Sequence, residues 1–271
     1  MYSASSIFGL IELAYFGIFS SVAFIVWKNT KHPWARALGT LFVIGIGLAY
    51  PVKIALERKE VRDTRAAAEA HFRKMCETKA GEWIYRTEKD VDGFLLMKPR
   101  QLATTSELQD QFWMGDPYGY SPLETTPTVY LTGVLPYLYV DVPLDGESGF
   151  RNGYRRITLD RSVSPSRVKD AADPKTPSRF GFTWSDVSTE SDRAHWVAAG
   201  EMTVVDLDSQ QVIARRIGFV FESGMGYRGA ERNSWSDASR APQNLCPSFP
   251  TSAHKSRDFL SRVLVPRGSS K

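Results

Sequence analysis

The sequence has few of the residues from which metal centres and nucleophilic active sites are built. It contains two cysteines and four histidines, and none of them stands in a CxxC, HxxxH or HExxH arrangement. It also has no GxSxG string and no phosphate-binding GxxxxGK string. Motifs therefore give no reason to expect a catalytic residue, a metal or a cofactor, and we expect a non-enzymatic protein.

Long apolar runs occur only near the beginning of the chain, at Ile7–Trp27 and Ala37–Leu56. Each has roughly 20 residues, and a helix that rises about 1.5 Å per residue then reaches across a hydrocarbon layer of about 30 Å. We expect residues 1–56 to form a two-helix transmembrane hairpin. A buried hairpin of a soluble protein is the alternative, although soluble core helices are seldom apolar on every face.

The short connection between the two runs carries Lys28, Lys31 and Arg36 and no acidic residue. The positive-inside rule places such a loop in the cytoplasm. Both termini would then lie on the other side of the membrane from this loop. We therefore expect a bacterial inner-membrane protein with its soluble domain in the periplasm. The segment after the second run is also basic, from Arg58 to Lys74, which leaves a cytoplasmic domain open as the alternative.

The net charge of +4 comes from the beginning of the chain rather than from the domain. Residues 1–75 hold ten basic and five acidic side chains, whereas residues 76–263 hold 22 basic and 25 acidic ones. Basic residues beside a membrane can meet anionic lipid headgroups, and nucleic-acid binding requires a basic domain surface. We therefore expect the lipid bilayer as a partner and exclude nucleic acid.

The rest of the chain divides into three segments. Residues 57–77 are rich in Ala and mixed charges and contain neither Pro nor Gly, which predicts a helical stalk. A single soluble domain is expected over 78–263. Residues 264–271 begin with LVPRGS, a thrombin recognition sequence, and are expected to be an appended expression tail outside the fold.

Beyond Gly81 the sequence changes to short segments rich in β-branched and aromatic residues. The clearest pattern is a hairpin of Met202–Leu207 and Val212–Glu222. A short capped helix is expected over Ser188–Val197 and a final helix over Ser252–Val263. The expected fold class is α+β, a mostly antiparallel β domain with a short internal helix and a C-terminal helix. Further strands are predicted at Trp83–Thr87, Gly93–Lys98, Thr128–Thr132, Leu138–Val142, Arg155–Leu159 and Arg179–Trp184.

The two cysteines lie at opposite ends of the domain, Cys76 at the end of the stalk and Cys246 near the end of the domain. In an exported domain they are natural disulfide partners. The bond would close a loop of 246 − 76 = 170 residues and would hold the last loop to the stalk. Two unpaired core thiols are the alternative.

Aromatic and arginine side chains are concentrated in two stretches that have no regular period. Trp, Tyr and Arg are enriched in protein interfaces, so these stretches are the expected partner-binding surface, with the core as the alternative location of the aromatic members. His195, beside Asp192, is the one histidine placed like a general base, and a packed helix-end histidine is its alternative. The predicted partner-binding residues are Phe112, Trp113, Tyr118, Tyr120, Tyr227, Arg228, Arg232 and Trp235.

Four parts of the domain carry a resemblance: Cys76–Tyr85, Asp186–Trp196, Val205–Gly218 and Cys246–Phe249. They resemble an uncharacterised family of bacterial membrane-anchored proteins associated with type VI secretion effector and immunity loci. The resemblance implies an immunity protein that captures an effector, such as a lipase, in the periplasm. The alternatives are a structural subunit of a cell-envelope secretion or pilus assembly, and a membrane-anchored hydrolase that uses His195.

Overall fold

The chain divides into two compact units, Met1–Thr64 and Arg65–Lys271. In the computed structural model, residues 4–14 are described by their backbone alone. The described residues are 4–132, 136–144, 153–160, 162, 167–172, 178–223, 235, 238, 241–249 and 255–268.

The first unit contains helix α1 (Ala4–Asn29) and the first part of helix α2 (Pro33–Thr78). Tyr15 in α1 donates a hydrogen bond of 3.0 Å from Oη to the carbonyl oxygen of Gly47 in α2. A Cβ on Gly47 would stand only 2.9 Å from the ring of Phe19. The lack of a side chain at Gly47 therefore lets the two helices approach closely.

Among the described residues one helix, α2, is long and apolar enough to cross a membrane. Its large apolar side chains are exposed, with Leu41 at 64% and Phe42 at 69%, and exposed apolar surface of this kind suits a helix surrounded by lipid. The sequence predicted two spans. The structure supports the span in α2, and a span in α1 stays a prediction.

The second unit is an α+β domain built on one large sheet, as the sequence predicted. Its helices are the last part of α2 together with α3 (Thr105–Gln109), α4 (Glu190–Ala194) and α5 (Lys255–Val263). Its strands are β1 (Gly81–Ile84), β2 (Glu88–Val91), β3 (Gly93–Leu96), β4 (Tyr139–Pro143), β5 (Tyr154–Asp160), β6 (Arg167–Ala172), β7 (Phe180–Asp186), β8 (Val197–Asp206), β9 (Gln211–Phe221), β10 (Leu245–Cys246) and β11 (Leu264–Pro266).

In the described part of the domain, nine strands form a sheet in the order β1-β9-β8-β7-β3-β4-β5-β6, with β10 also paired to β9. The pairs that β3 makes with β4 and β7 are parallel, and the other pairs of this sheet are antiparallel. A separate small sheet pairs β11 with β2 in parallel. The sheet is therefore mostly antiparallel, with the parallel pairs at its centre.

The main core lies on one face of the large sheet. Helix α5 packs there through Phe259, Leu260 and Val263, all of which are fully buried. The neighbouring aromatic side chains meet edge to face, as Phe94 does with Tyr130 at 5.2 Å between ring centroids. This core leaves the opposite face of the sheet to be covered by other elements.

Several elements differ from their predictions. The hairpin is confirmed as β8 and β9; β8 begins five residues earlier than predicted, at Val197, and β9 is shifted by one residue toward the turn. Thr128–Thr132 is not a strand, because Pro127 begins a 3₁₀ turn over Pro127–Leu131. The predicted helix Ser188–Val197 is shorter, since Thr189 caps it and Val197 already begins β8. The sequence analysis missed the polar strands β2 and β6.

Residues 264–266 are part of the domain in the structure, although the sequence predicted that residues 264–271 lie outside it. Leu264–Pro266 form β11, and Leu264 is fully buried. Its carbonyl oxygen accepts a hydrogen bond of 2.6 Å from Tyr137 Oη. Leu264 thus continues the apolar surface that α5 presents to the core.

Candidate interaction surface

The last part of α2, Arg65–Thr78, covers one end of the second face of the sheet. Ala68, Phe72 and Met75 belong to a separate apolar cluster, and the rings of Phe72 and Phe221 stack at 5.6 Å. The sheet contributes Val197, Ala199, Phe219 and Phe221 to this cluster, along with Trp196. The helix is therefore packed on the domain by a continuous apolar contact.

A disulfide bond between Cys76 and Cys246 fastens the same helix to strand β10, with 5.6 Å between the Cα atoms. The sequence predicted this pairing, and the alternative of two unpaired thiols is wrong. The bond joins the end of α2 to the strand that lies beside β9. Packing and a covalent bond together hold residues 65–78 against the sheet.

The remainder of that sheet face carries partly exposed side chains. Strand register places Trp83 and Thr203 on either side of Arg215, so these three residues share one face. Val187 and Val212 are 37% and 46% exposed, and Trp83 is 39% exposed. We call Trp83, Val187, Thr203, Val212 and Arg215 the open face.

A cleft of about 360 Å³ lies where the open face meets the end of α2. Its charged lining residues are Lys79, Asp192 and Arg215. Arg215 also pairs with Glu201 on the neighbouring strand. The cleft is lined by Thr78, Lys79, Trp83, Val187, Asp192, Arg215, Ile217 and Phe219. Its lining combines apolar and charged side chains, and both kinds occur in protein interfaces.

Asp192 connects helix α4 to α2 beside this cleft. One carboxylate oxygen lies 2.6 Å from Nε2 of His71, and the other accepts hydrogen bonds from the backbone and hydroxyl of Thr189. Burial would raise the pKa of Asp192, but the hydrogen bonds from Thr189 and His71 lower it overall. Asp192 therefore stays ionised and holds the two helices together.

His195 does not contact this carboxylate in the arrangement that the sequence suggested. Its ring stacks on His71 at 4.4 Å, and its Nδ1 lies 2.7 Å from the carbonyl oxygen of Ser191. The histidine paired with Asp192 is His71, which lies in the segment 57–77 that the sequence predicted to be a helical stalk. The two residues are 121 positions apart, so no local motif could have revealed the pair.

The predicted aromatic surface is divided between core and solvent. Phe112 is 51% exposed, and Trp113 is partly buried with its ring edge to face with Tyr120. Tyr118, Tyr120 and Trp235 are buried, which corrects their assignment as partner-binding residues, because a partner could not reach them in this structure. Tyr227, Arg228 and Arg232 lie outside the described residues.

Tyr118 is buried because the sheet has a gap for it at Gly218. A Cβ on Gly218 would overlap the Tyr118 ring, and the Tyr118 hydroxyl donates a hydrogen bond of 2.7 Å to the carbonyl oxygen of Pro247. Arg216 donates to the same hydroxyl at 3.2 Å. A glycine in the middle of an apolar strand was the sequence signal for this close approach.

Four charged side chains are buried together behind the sheet. Arg100 donates to Asp116 at 2.8 Å and lies 3.6 Å from Glu124. Glu124 accepts hydrogen bonds from the backbone and hydroxyl of Ser256 at the start of α5. Lys255 donates from Nζ to the carbonyl oxygen of Tyr118 at 2.9 Å. The cluster has equal numbers of positive and negative groups and joins the loop after β3 to α5.

Lys255 gives the domain a testable pH dependence. Burial lowers the pKa of Lys255 to about 8, although Glu124 and Asp116 act in the opposite direction. Between that pH and the ordinary lysine pKa of about 10.4 the unfolded state binds more protons, so Lys255 should raise the free energy of unfolding as pH increases. We expect wild type to gain on the order of 1–3 kcal/mol relative to Lys255→Met over this range.

Chemical denaturation of the two proteins at pH 7.5 and pH 10 measures this difference. Lys169→Met is the matched control, because Lys169 is 65% exposed in its ion pair with Asp160. A stability difference between wild type and Lys255→Met that is the same at both pH values would contradict the assignment.

No family model matches the chain, and no match emerges from the curated proteins or from the solved structures.

Proposed function

We propose that this chain is a membrane-tethered binding protein whose domain captures a protein partner on the open face. The observation that carries the proposal is the position of this face beside α2. Thr78 at the end of α2 lines the cleft beside the open face, Cys76 of the same helix is bonded to Cys246, and the earlier part of the helix is apolar enough to span a membrane. The helix that would anchor the chain thus ends at the proposed binding cleft.

In the specific form of the proposal, the partner is a type VI secretion effector, such as a lipase, and the chain is its immunity protein. The domain lies in the periplasm, where a disulfide is retained. Tethering raises the concentration of the inhibitor at the membrane that the effector attacks. This form rests on the family resemblance of the domain and on the membrane helix.

The anchor in this proposal is a hairpin of two spans. Helix α1 has 26 residues, which at about 1.5 Å per residue is longer than the hydrocarbon layer requires. The connection between α1 and α2 is basic and would remain in the cytoplasm. Both termini of the hairpin would then face the periplasm.

Deletion of the gene in its host should make the cells sensitive to the effector encoded beside it. The full chain should restore growth, whereas the double variant Val187→Arg and Val212→Arg should not, because two charges would replace the exposed apolar side chains of the open face. Val168→Arg is the matched control, since Val168 is 53% exposed on the distant strand β6. Insensitive deletion cells would contradict the immunity function.

A structural subunit of a cell-envelope assembly is the competing function, in which the spans make the main contacts. Replacement of residues 1–56 by an unrelated two-span anchor separates the two cases. A binding domain should keep its protective effect on the new anchor. An assembly subunit should lose its function, because its contacts inside the membrane would be gone.

A hydrolase is a second candidate, and the pair of His71 and Asp192 beside the cleft is the observation that favours it. A histidine held by a carboxylate is a common general base. His71→Asn keeps a side chain that can donate to Asp192 but removes the base. Ester hydrolysis by the purified full chain that is lost in His71→Asn would support this candidate, and protection of cells by His71→Asn would reject it.

A further inference from the structure

The two edges of the large sheet differ in how they are protected from further strand pairing. Strand β6 at one edge exposes Lys169 and Asp170, which pair with charges on β5. Strand β1 at the other edge exposes Trp83 and Ile84, and Tyr85 follows with 64% exposure. Natural proteins commonly guard edge strands with charged side chains. Among the described edges, β1 has less of this protection, because its one charged residue, Glu82, is 16% exposed and is paired with Arg216 and Arg262.

The backbone of β1 has hydrogen-bonding groups directed away from the sheet. Tyr85 donates its N–H to Ile213 on β9, so the antiparallel alternation turns Trp83 toward β9 as well and turns Glu82 and Ile84 outward. No described residue pairs with β1 on that outer side. The N–H and C=O groups of Glu82 and Ile84 are therefore available to another extended strand.

The outer edge of β1 is complementary to itself. An antiparallel pair of β1 strands centred on Trp83 would set Glu82 of each copy opposite Ile84 of the other, and both of these residues face outward. Tyr85 of the second copy would lie opposite Gly81. The Trp83 ring covers Gly81, because a Cβ added to Gly81 would lie 2.6 Å from that ring. This register makes four backbone hydrogen bonds and an aromatic contact around a two-fold axis.

We propose that two copies of this chain pair through β1, which joins their sheets into one across a two-fold axis. The contact is small, because β1 has four residues, and small interfaces give weak association in dilute solution. Attachment to one membrane raises the local concentration of the copies. The dimer therefore forms when the copies are concentrated in one membrane, although the same short edge gives weak association in dilute solution.

The test uses the full chain, labelled with donor and acceptor fluorophores in separate batches and reconstituted together in lipid vesicles. Ile84→Pro removes the outward N–H and keeps the pairing with β9, since proline is tolerated where an edge N–H faces away from the sheet. Ile84→Val retains the N–H and is the matched control. Energy transfer should be present for wild type and Ile84→Val and should fall at least tenfold for Ile84→Pro.

A second variant, Trp83→Lys, keeps the test valid if Ile84→Pro does not fold. It places two like charges on the two-fold axis at an exposed position, and energy transfer should again fall at least tenfold. Val168→Lys introduces the same charge at the opposite edge of the sheet, is the matched control for Trp83→Lys, and should behave as wild type. Absence of energy transfer for wild type, or equal transfer for wild type and Trp83→Lys, would overturn the proposal.

Discussion

Arg100→Met should destabilise the domain by about 3–5 kcal/mol, because it removes one partner of a buried ion pair and leaves the other charge uncompensated. Arg100 is 5% exposed, and Asp116 and Glu124 are 2% and 1% exposed. The Arg100 guanidinium also donates to Ser256 at 3.1 Å. Its loss would leave two carboxylates with Lys255 as the remaining buried cation of the cluster.

Burial and the charges of Asp116 and Glu124 act on Arg100 in opposite directions. Burial alone would lower the pKa of Arg100, but the two carboxylates raise it overall, and burial raises the pKa of Glu124 despite Arg100. The carboxylates thus favour the charged form of Arg100, whereas burial disfavours the charged form of Glu124. Breaking one pair should disturb the contact between the loop after β3 and α5.

Arg155→Met is the matched control for this experiment. Arg155 pairs with Asp170 at 3.2 Å, but both side chains are nearly half exposed, and exposed pairs contribute about 0–1 kcal/mol. Urea unfolding of the detergent-solubilised full chain, followed by tryptophan fluorescence, gives both free energies. A loss below about 1 kcal/mol for Arg100→Met would show that the buried cluster does not hold α5 in place.

Removal of the disulfide by Cys76→Ser and Cys246→Ser should lower the stability of the domain by up to about 5 kcal/mol. The bond spans 170 residues, and closing such a long loop in the unfolded chain removes much of its conformational entropy. It also holds the end of α2 against β10. Loss of the bond should therefore loosen the apolar contact of Phe72 and Met75 with the sheet.

Thermal unfolding of wild type and the double variant measures this effect, and reduced wild type should match the variant. Protease treatment of the folded proteins supplies a local readout, because cleavage between residues 65 and 78 should become faster only when the bond is absent. The chain has two cysteines, so reductant changes no other bond. Equal stability of oxidised and reduced protein would show that packing alone holds α2 to the domain.

The sequence predicted the fold where local pattern and environment agree. The residues of β9 alternate between the two faces of the sheet, and a short polar turn joins β9 to β8, so the sequence predicted the hairpin. Strand β6 was missed because exposed residues such as Lys169 and Asp170 give it the composition of a loop. Thr128–Thr132 has the composition of a strand, but Pro127 directs it into a 3₁₀ turn.

The candidate surface was less predictable, because burial is decided by contacts between distant residues. Tyr118 and Trp235 are of residue types that interfaces favour, but both are buried inside the domain. Gly218 leaves space for the Tyr118 ring, and the carbonyl oxygen of Asp110 accepts a hydrogen bond from the Trp235 indole. Val187 and Val212 are apolar and are nevertheless exposed on the open face. No local sequence pattern shows which end of a sheet face a helix will cover.

We propose that a membrane helix holds the disulfide-bonded domain outside the cytoplasm. Labelling of intact host cells with a membrane-impermeant maleimide, with and without prior reductant, tests this placement. We expect Cys76 and Cys246 to be labelled only after reduction, and we expect this labelling without cell lysis. Labelling without reductant, or labelling that appears only after lysis, would contradict it.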